Sequence, residues 1–111
     1  MARAAKAISK GDLDCVVAMK ALADPGRLRM LDALLNGPRS AGDLAEIAAL
    51  TAYNASRHLN VLTRAGLLAK EKSGQRRLYR LSDACEVHLD RKRRVLSLGC
   101  CQFRLDALVA R

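Results

Sequence analysis

The sequence predicts a mainly α-helical domain with a small β-hairpin, and three observations predict it. Aliphatic residues recur at helical spacing through most of the chain. Residues 43–64 read as two helices joined across Ala49-Leu50-Thr51. Two short runs, Leu67 to Lys72 and Arg76 to Leu81, then flank the turn residues Ser73-Gly74-Gln75. Half of the 111 residues are hydrophobic but only 3% are aromatic, so the core must be built from Leu, Ala and Val. Small aliphatic side chains of that kind suit packed helices.

Taken in order, residues 1–11 are expected to be a flexible N-terminus, and 12–111 a single domain. From Asp12, the residues Leu13, Val16, Val17, Met19 and Leu22 make a first helix that stops near Asp24-Pro25. Pro25 suits the first position of the next helix, where its missing N–H has no partner to lose. That helix carries Leu28, Leu31, Leu34 and Leu35, and Asn36-Gly37-Pro38 ends it. Ser40 can cap a third helix with Leu44, Ile47 and Ala48 on its apolar side.

Thr51 can cap the fourth helix, which buries Ala55, Leu59 and Leu62. Its other face offers Tyr53, Asn54, Ser56, Arg57 and Asn60, all able to hydrogen-bond and none acidic. His58 on the same helix reads as structural or phosphate-facing. A second helix presenting donors after a short turn is the helix-turn-helix arrangement, whose second helix enters the major groove. The bland alternative is a helical hairpin packed inside an ordinary domain. The following segment weighs against it. Ala65-Gly66 ends the helix, and the hairpin after it is cationic, with Gln75, Arg76 and Arg77 at its tip. A basic hairpin there is a wing, so the expected architecture is a winged helix-turn-helix.

After the wing, Ser82 or Asp83 can cap a last helical region running toward Val109. It would carry two apolar stripes, Val95, Leu98, Cys101, Leu105 and Leu108, and Leu96, Cys100, Phe103 and Ala107. So wide an apolar surface needs a cover. The expectation is a two-fold homodimer formed through the first and last helices, which would pair two recognition helices on an inverted-repeat DNA operator.

The formal net charge of +9 favours a polyanionic partner. No run approaches the length of a membrane span, and the N-terminus lacks the apolar region of a signal peptide, so no membrane partner and a cytoplasmic location are expected. The four cysteines are then expected to be reduced, and open to metal or redox chemistry. No nucleophile-base-orienter set is visible, so neither enzymatic activity nor an organic cofactor is expected. Arg91-Lys92-Arg93-Arg94 reads as a solvated charged face.

Ala21 to Leu31 (Ala-Leu-Ala-Asp-Pro-Gly-Arg-Leu-Arg-Met-Leu), Ser56 to Leu62 (Ser-Arg-His-Leu-Asn-Val-Leu), Ala65 to Leu68 and the wing Gly74 to Leu81 together resemble the ArsR family of bacterial transcriptional repressors. The resemblance implies a dimeric winged-helix repressor with five helices and a wing, released from its operator by an inducer. It also implies that Ala52 to Arg64 reads DNA. The chain departs from the family pattern at Gly26, where Thr is frequent, and at Asn60, where Lys or Arg is frequent. Ser40-Ala41-Gly42-Asp43-Leu44 stands where metal sensors of the family carry Cys-x-Cys-Asp-Leu. The family's C-terminal zinc pattern is also missing, since Arg91 and Lys92 follow Asp90, and Asp106 is the only later acid.

Cys15, Cys85, Cys100 and Cys101 remain. In the family the first and last helices form the dimer interface, which would let Cys15 approach Cys100 and Cys101. Soft thiolates suit As(III), Sb(III) or another soft metal ion, the inducer expected first. The alternative is a redox- or persulfide-responsive cysteine pair without metal. A more distant alternative is a winged-helix RNA- or protein-binding module. Against the metal reading stands a geometric objection: neighbours on a regular helix point about 100° apart, so Cys100 and Cys101 could not face one ion there. The bland reading makes each cysteine a small buried apolar residue.

Overall fold

A computed structural model describes residues 13–108; the expected flexible segment 1–11 and the Val109 end of the last helix lie outside them. Four helices come first: α1 (Cys15–Leu22), α2 (Pro25–Leu34), α3 (Ala41–Ala48) and α4 (Ala52–Arg64). Each begins at a residue whose side chain accepts backbone N–H groups that the helix cannot pair itself. Asp14 accepts from Val16 and Val17, Asp24 from Arg27, Ser40 from Asp43 and Thr51 from Asn54. Pro25 sits at the start of α2, as expected.

The α3–α4 turn is made by Ala49, held in the left-handed region at φ 57°, followed by Leu50 and Thr51. Gly66 closes α4 at φ 85°, where a Cβ would also press on Leu13 at 3.3 Å. The wing follows as β1 (Leu68–Ser73) and β2 (Arg76–Leu81), antiparallel, with Leu68 opposite Leu81 and Ser73 opposite Arg76. The second strand has its expected bounds, whereas β1 starts one residue later and runs one residue further, to Ser73, so the hairpin loop is only Gly74-Gln75. Arg39 joins this ladder on the far side of β2, exchanging two backbone bonds with Tyr79.

The core is aliphatic, as composition demanded. Leu22, Met30, Leu31, Leu44, Leu59, Leu62 and Leu67 are all fully buried. They bring α1–α4 and the base of the wing onto one another, leaving the outer face of α4 free.

The C-terminal region corrects the sequence reading. Ser82 does cap a helix, but α5 is a single turn (Asp83–Glu86). The chain then forms a three-stranded antiparallel sheet, β3 (Leu89–Asp90), β4 (Val95–Ser97) and β5 (Gln102–Arg104). Leu96 and Leu98 alternate inward around Ser97, so the segment satisfies a period of two as well as 3.6. Long-range pairing decides between them. Arg94, in the left-handed region at φ 56°, donates from Nε to Asp32 Oδ1 at 2.7 Å and from Nη2 to the Asp32 carbonyl at 2.9 Å. Gly99, at φ 93°, turns the chain between β4 and β5. The long last helix of the expected dimer interface is therefore replaced by this sheet. Much of its apolar surface packs inward, since Leu96, Leu98 and Leu105 belong to the core. The basic run is also not a uniform solvated face: Arg91 donates to the Leu35 carbonyl and to Glu86, and Arg94 is half-buried.

Candidate nucleic-acid interface and thiol cluster

Helix α4 separates its two faces sharply. Ala55, Leu59 and Leu62 are buried, while Tyr53, Asn54, Ser56, Arg57 and Asn60 are exposed. Tyr53 is 71% exposed. The Arg57 guanidinium lies over that ring, 5.8 Å from its centroid, one helical turn along. Thr51 is exposed at the head of the helix and uses its oxygen as the cap. At the wing tip Gln75, Arg76 and Arg77 are all exposed. The polar side chains on the outer face of α4 and at the wing tip can all donate, and none is acidic. Such a face suits phosphate oxygens and the acceptor edges of bases.

His58 differs from its neighbours. It is half-buried, and its Nδ1 lies 2.8 Å from Arg27 Nη1 and 3.8 Å from Asp24 Oδ2. A guanidinium can only donate, so Nδ1 accepts and the proton of the neutral ring sits on Nε2. The shorter contact dominates, because the Asp24 carboxylate is already engaged by the Arg27 backbone N–H at 3.1 Å. Arg27 also donates from Nε to the Ala21 carbonyl. It thereby ties the end of α1, the start of α2 and the middle of α4 together. Sequence reasoning did not single out Arg27, whose side chain reaches between elements in a way that no local pattern reveals.

The cysteines divide into a cluster and a solitary residue. Cys15, at the start of α1, and Cys100, in the β4–β5 turn, are joined by a disulfide with Cα atoms 6.0 Å apart. Cys101 Sγ lies 4.0 Å from Cys100 Sγ. The three expected sensor cysteines thus come together, and the geometric objection falls, because residues 99–101 form a turn and not a helix. They form no ion site in this state: among the described residues no group of three or more His, Cys, Asp or Glu is placed to hold a metal ion. A bonded pair has no thiolate to offer, so this disulfide form does not fit a soft ion.

Cys85 is the buried residue of α5, and burial first, then the neighbouring Glu86 carboxylate, push its thiol from 9.0 up to about 12. In the reduced native protein Cys85 should therefore resist a thiol-specific probe such as DTNB near pH 8, where about one molecule in ten thousand is thiolate. The other three thiols should react, and Cys85 only on unfolding. Prompt reaction of all four in the native state would contradict its burial. Because the folded form holds this thiol neutral while the unfolded form ionises near 9, it leaves stability unchanged below about pH 9 and lowers it above.

Among the described residues, no helix is long and apolar enough to cross a membrane.

Comparison with known proteins places these features. A helix-turn-helix domain family matches residues 22–71. An uncharacterized HTH-type transcriptional regulator, YdfF of Bacillus subtilis, is 40% identical over 98 residues, covering 81% of this chain and 43% of its own length. The transcriptional repressor SdpR of the same organism is 38% identical over 63 residues, covering 57% of this chain and 70% of that protein. The chain thus spans less than half of the first relative and about two thirds of the second. Among solved structures, a homodimeric winged helix-turn-helix DNA-binding domain from Mycobacterium bovis, described as a possible ArsR-family regulator, aligns with a TM-score of 0.59. It is 31% identical, and the alignment covers 65% of this chain and 68% of that one.

Proposed function

The chain belongs to the ArsR family of winged helix-turn-helix transcriptional regulators, and on that premise we propose that it is a homodimeric DNA-binding repressor that leaves an inverted-repeat operator when its clustered thiols react. One observation carries the reading: the exposed face of α4 presents Tyr53, Asn54, Ser56, Arg57 and Asn60 beside a cationic wing, with no carboxylate among them. Ser56 and Arg57 read base edges, and Arg76 and Arg77 hold phosphates. The dimer is supported by the homodimeric relative and by Val16 and Val17 on α1, which stay 47% and 46% exposed.

Control resides in Cys15, Cys100 and Cys101. The dithiol–disulfide chemistry has the more direct support, because Cys15 and Cys100 already stand within bonding reach. Forming that bond removes two electrons and two protons from the thiols, taken up by a peroxide or persulfide donor. It pins the first turn of α1 to the β4–β5 turn and so acts on α1, whose exposed Val16 and Val17 offer a surface to a partner subunit. Release requires that the oxidised form prefer the DNA-free arrangement, by about 1–3 kcal/mol for a typical coupling. Binding of As(III) or Sb(III) is the second reading, favoured by the 4.0 Å approach of Cys101 to Cys100, and needs all three sulfurs reduced.

Band-shift titration of the promoter duplex separates these readings. The reduced protein should bind, and diamide or a persulfide donor should release it. Cys15→Ser and Cys100→Ser should keep DNA binding and lose that response, while Cys101→Ser keeps it. Arsenite release that disappears in Cys101→Ser would select the metalloid. A Cys100→Ser/Cys101→Ser double variant with its full response to every agent would sink the thiol assignment.

A further inference from the structure

Beside the groove-facing surface of α4 lies a cleft of about 280 Å³ lined by Arg27, Asn54, Arg57, His58 and Val61. Its position follows from helical spacing, since Asn54, Arg57, His58 and Val61 occupy one flank of α4, and Arg27 faces them from the start of α2. Four of the five lining side chains can donate hydrogen bonds, and no carboxylate is among them. Arg27 spends Nε on the Ala21 carbonyl and Nη1 on His58 Nδ1. Its Nη2 amino group is left uncommitted among the described residues. Two guanidiniums, charged at any working pH, therefore border one small space. The Asp24 carboxylate, 3.8 Å from His58 Nδ1, is occupied by the backbone N–H of Arg27.

We propose that this cleft seats one backbone phosphate of the bound duplex, with Arg27 and Arg57 as its two cationic walls and Asn54 as a neutral donor. The inference rests on the DNA-binding reading and adds a contact from α2, outside the helix-turn-helix and the wing. A pair of cations facing an empty space repel one another; an anion between them converts that repulsion into charge-assisted hydrogen bonds. Arg27 is fixed at two points by the fold, so it meets the phosphate already oriented. The contact sets how deeply α4 sits in the groove and is indifferent to sequence. A free inorganic phosphate has the same chemistry but lacks the flanking contacts that hold a duplex phosphate in the cleft, so the test compares the two sources.

The test has two arms. In the first, binding of a fluorescein-labelled mixed-sequence duplex is followed by anisotropy across a series of salt concentrations. Arg27→Gln should weaken binding and reduce the salt slope by about one, as loss of one phosphate contact does. An unchanged slope in Arg27→Gln, while Arg76→Gln/Arg77→Gln flattens it, would overturn the seat and leave DNA binding intact. Absence of any salt-dependent duplex binding by the wild type would instead remove the DNA reading itself. The second arm needs no variant and stands even if Arg27→Gln unfolds. The Arg27 Nε–H resonance of the wild-type protein should shift on addition of the duplex and stay in place with inorganic phosphate at matched ionic strength. No shift with duplex, or an equal shift with phosphate at the same concentration, would overturn the proposal.

Discussion

Reduction of the Cys15–Cys100 bond is expected to lower the stability of the folded chain by up to about 4 kcal/mol. The bond joins residues 85 positions apart, so it closes nearly the whole winged helix into one covalent ring. A cross-link over that span removes many conformations from the unfolded chain, and the entropy of closing a loop rises with its length. Urea unfolding of the oxidised protein, with and without dithiothreitol, measures the difference directly. Cys15→Ser and Cys100→Ser should each unfold at the reduced midpoint and ignore the reductant. A midpoint unmoved by reductant in the wild type would show that the two sulfurs are not bonded in solution.

Arg94→Ala should destabilise the fold by about 3 kcal/mol. Asp32 is 7% exposed and accepts from Arg94 Nε, so truncation takes a charge-assisted hydrogen bond away from a carboxylate buried in α2's packing. Removing one member of a buried pair costs more than removing both, because the remaining charge keeps its desolvation penalty without its partner. The double variant Asp32→Leu/Arg94→Met should therefore recover most of the loss. A change within a few tenths of a kcal/mol for Arg94→Ala would mean that the pair behaves like a surface salt bridge.

These two contacts also mark where the sequence stopped being legible. The helix caps at Ser40, Thr51 and Ser82 could be read in advance, because each is a bond between a side chain and backbone three positions away, and the start at Pro25 because proline fixes its own backbone angle. The split faces of α4 and the wing were legible for the same reason: one helix period and one strand alternation suffice. Residues 95–105 were not. Val95, Leu98 and Leu105 fit a helix, while Leu96 and Leu98 fit a strand, and local pattern favours neither. The choice is made by Arg94 reaching 62 positions back to Asp32, and by Gly99 turning the chain. The site divides similarly. The exposed donors of α4 were visible one by one, whereas the place of Arg27 beside them depends on how α2 crosses α4. The three cysteines proposed as sensors were chosen for their chemistry, and their convergence then came from a sheet, not from the expected helix.

Arg39 and Tyr79 exchange backbone bonds in both directions, at 3.0 and 2.8 Å, one residue before the Ser40 cap of α3. This stitch makes the root of the wing and the start of α3 a single lever. A duplex that tilts the wing must also tilt α3, and α3 carries the turn that aims α4. Amide exchange should register that rigidity. The Tyr79 N–H should exchange with solvent deuterium as slowly as amides within α4, while the amides of Gly74 and Gln75 at the wing tip exchange freely.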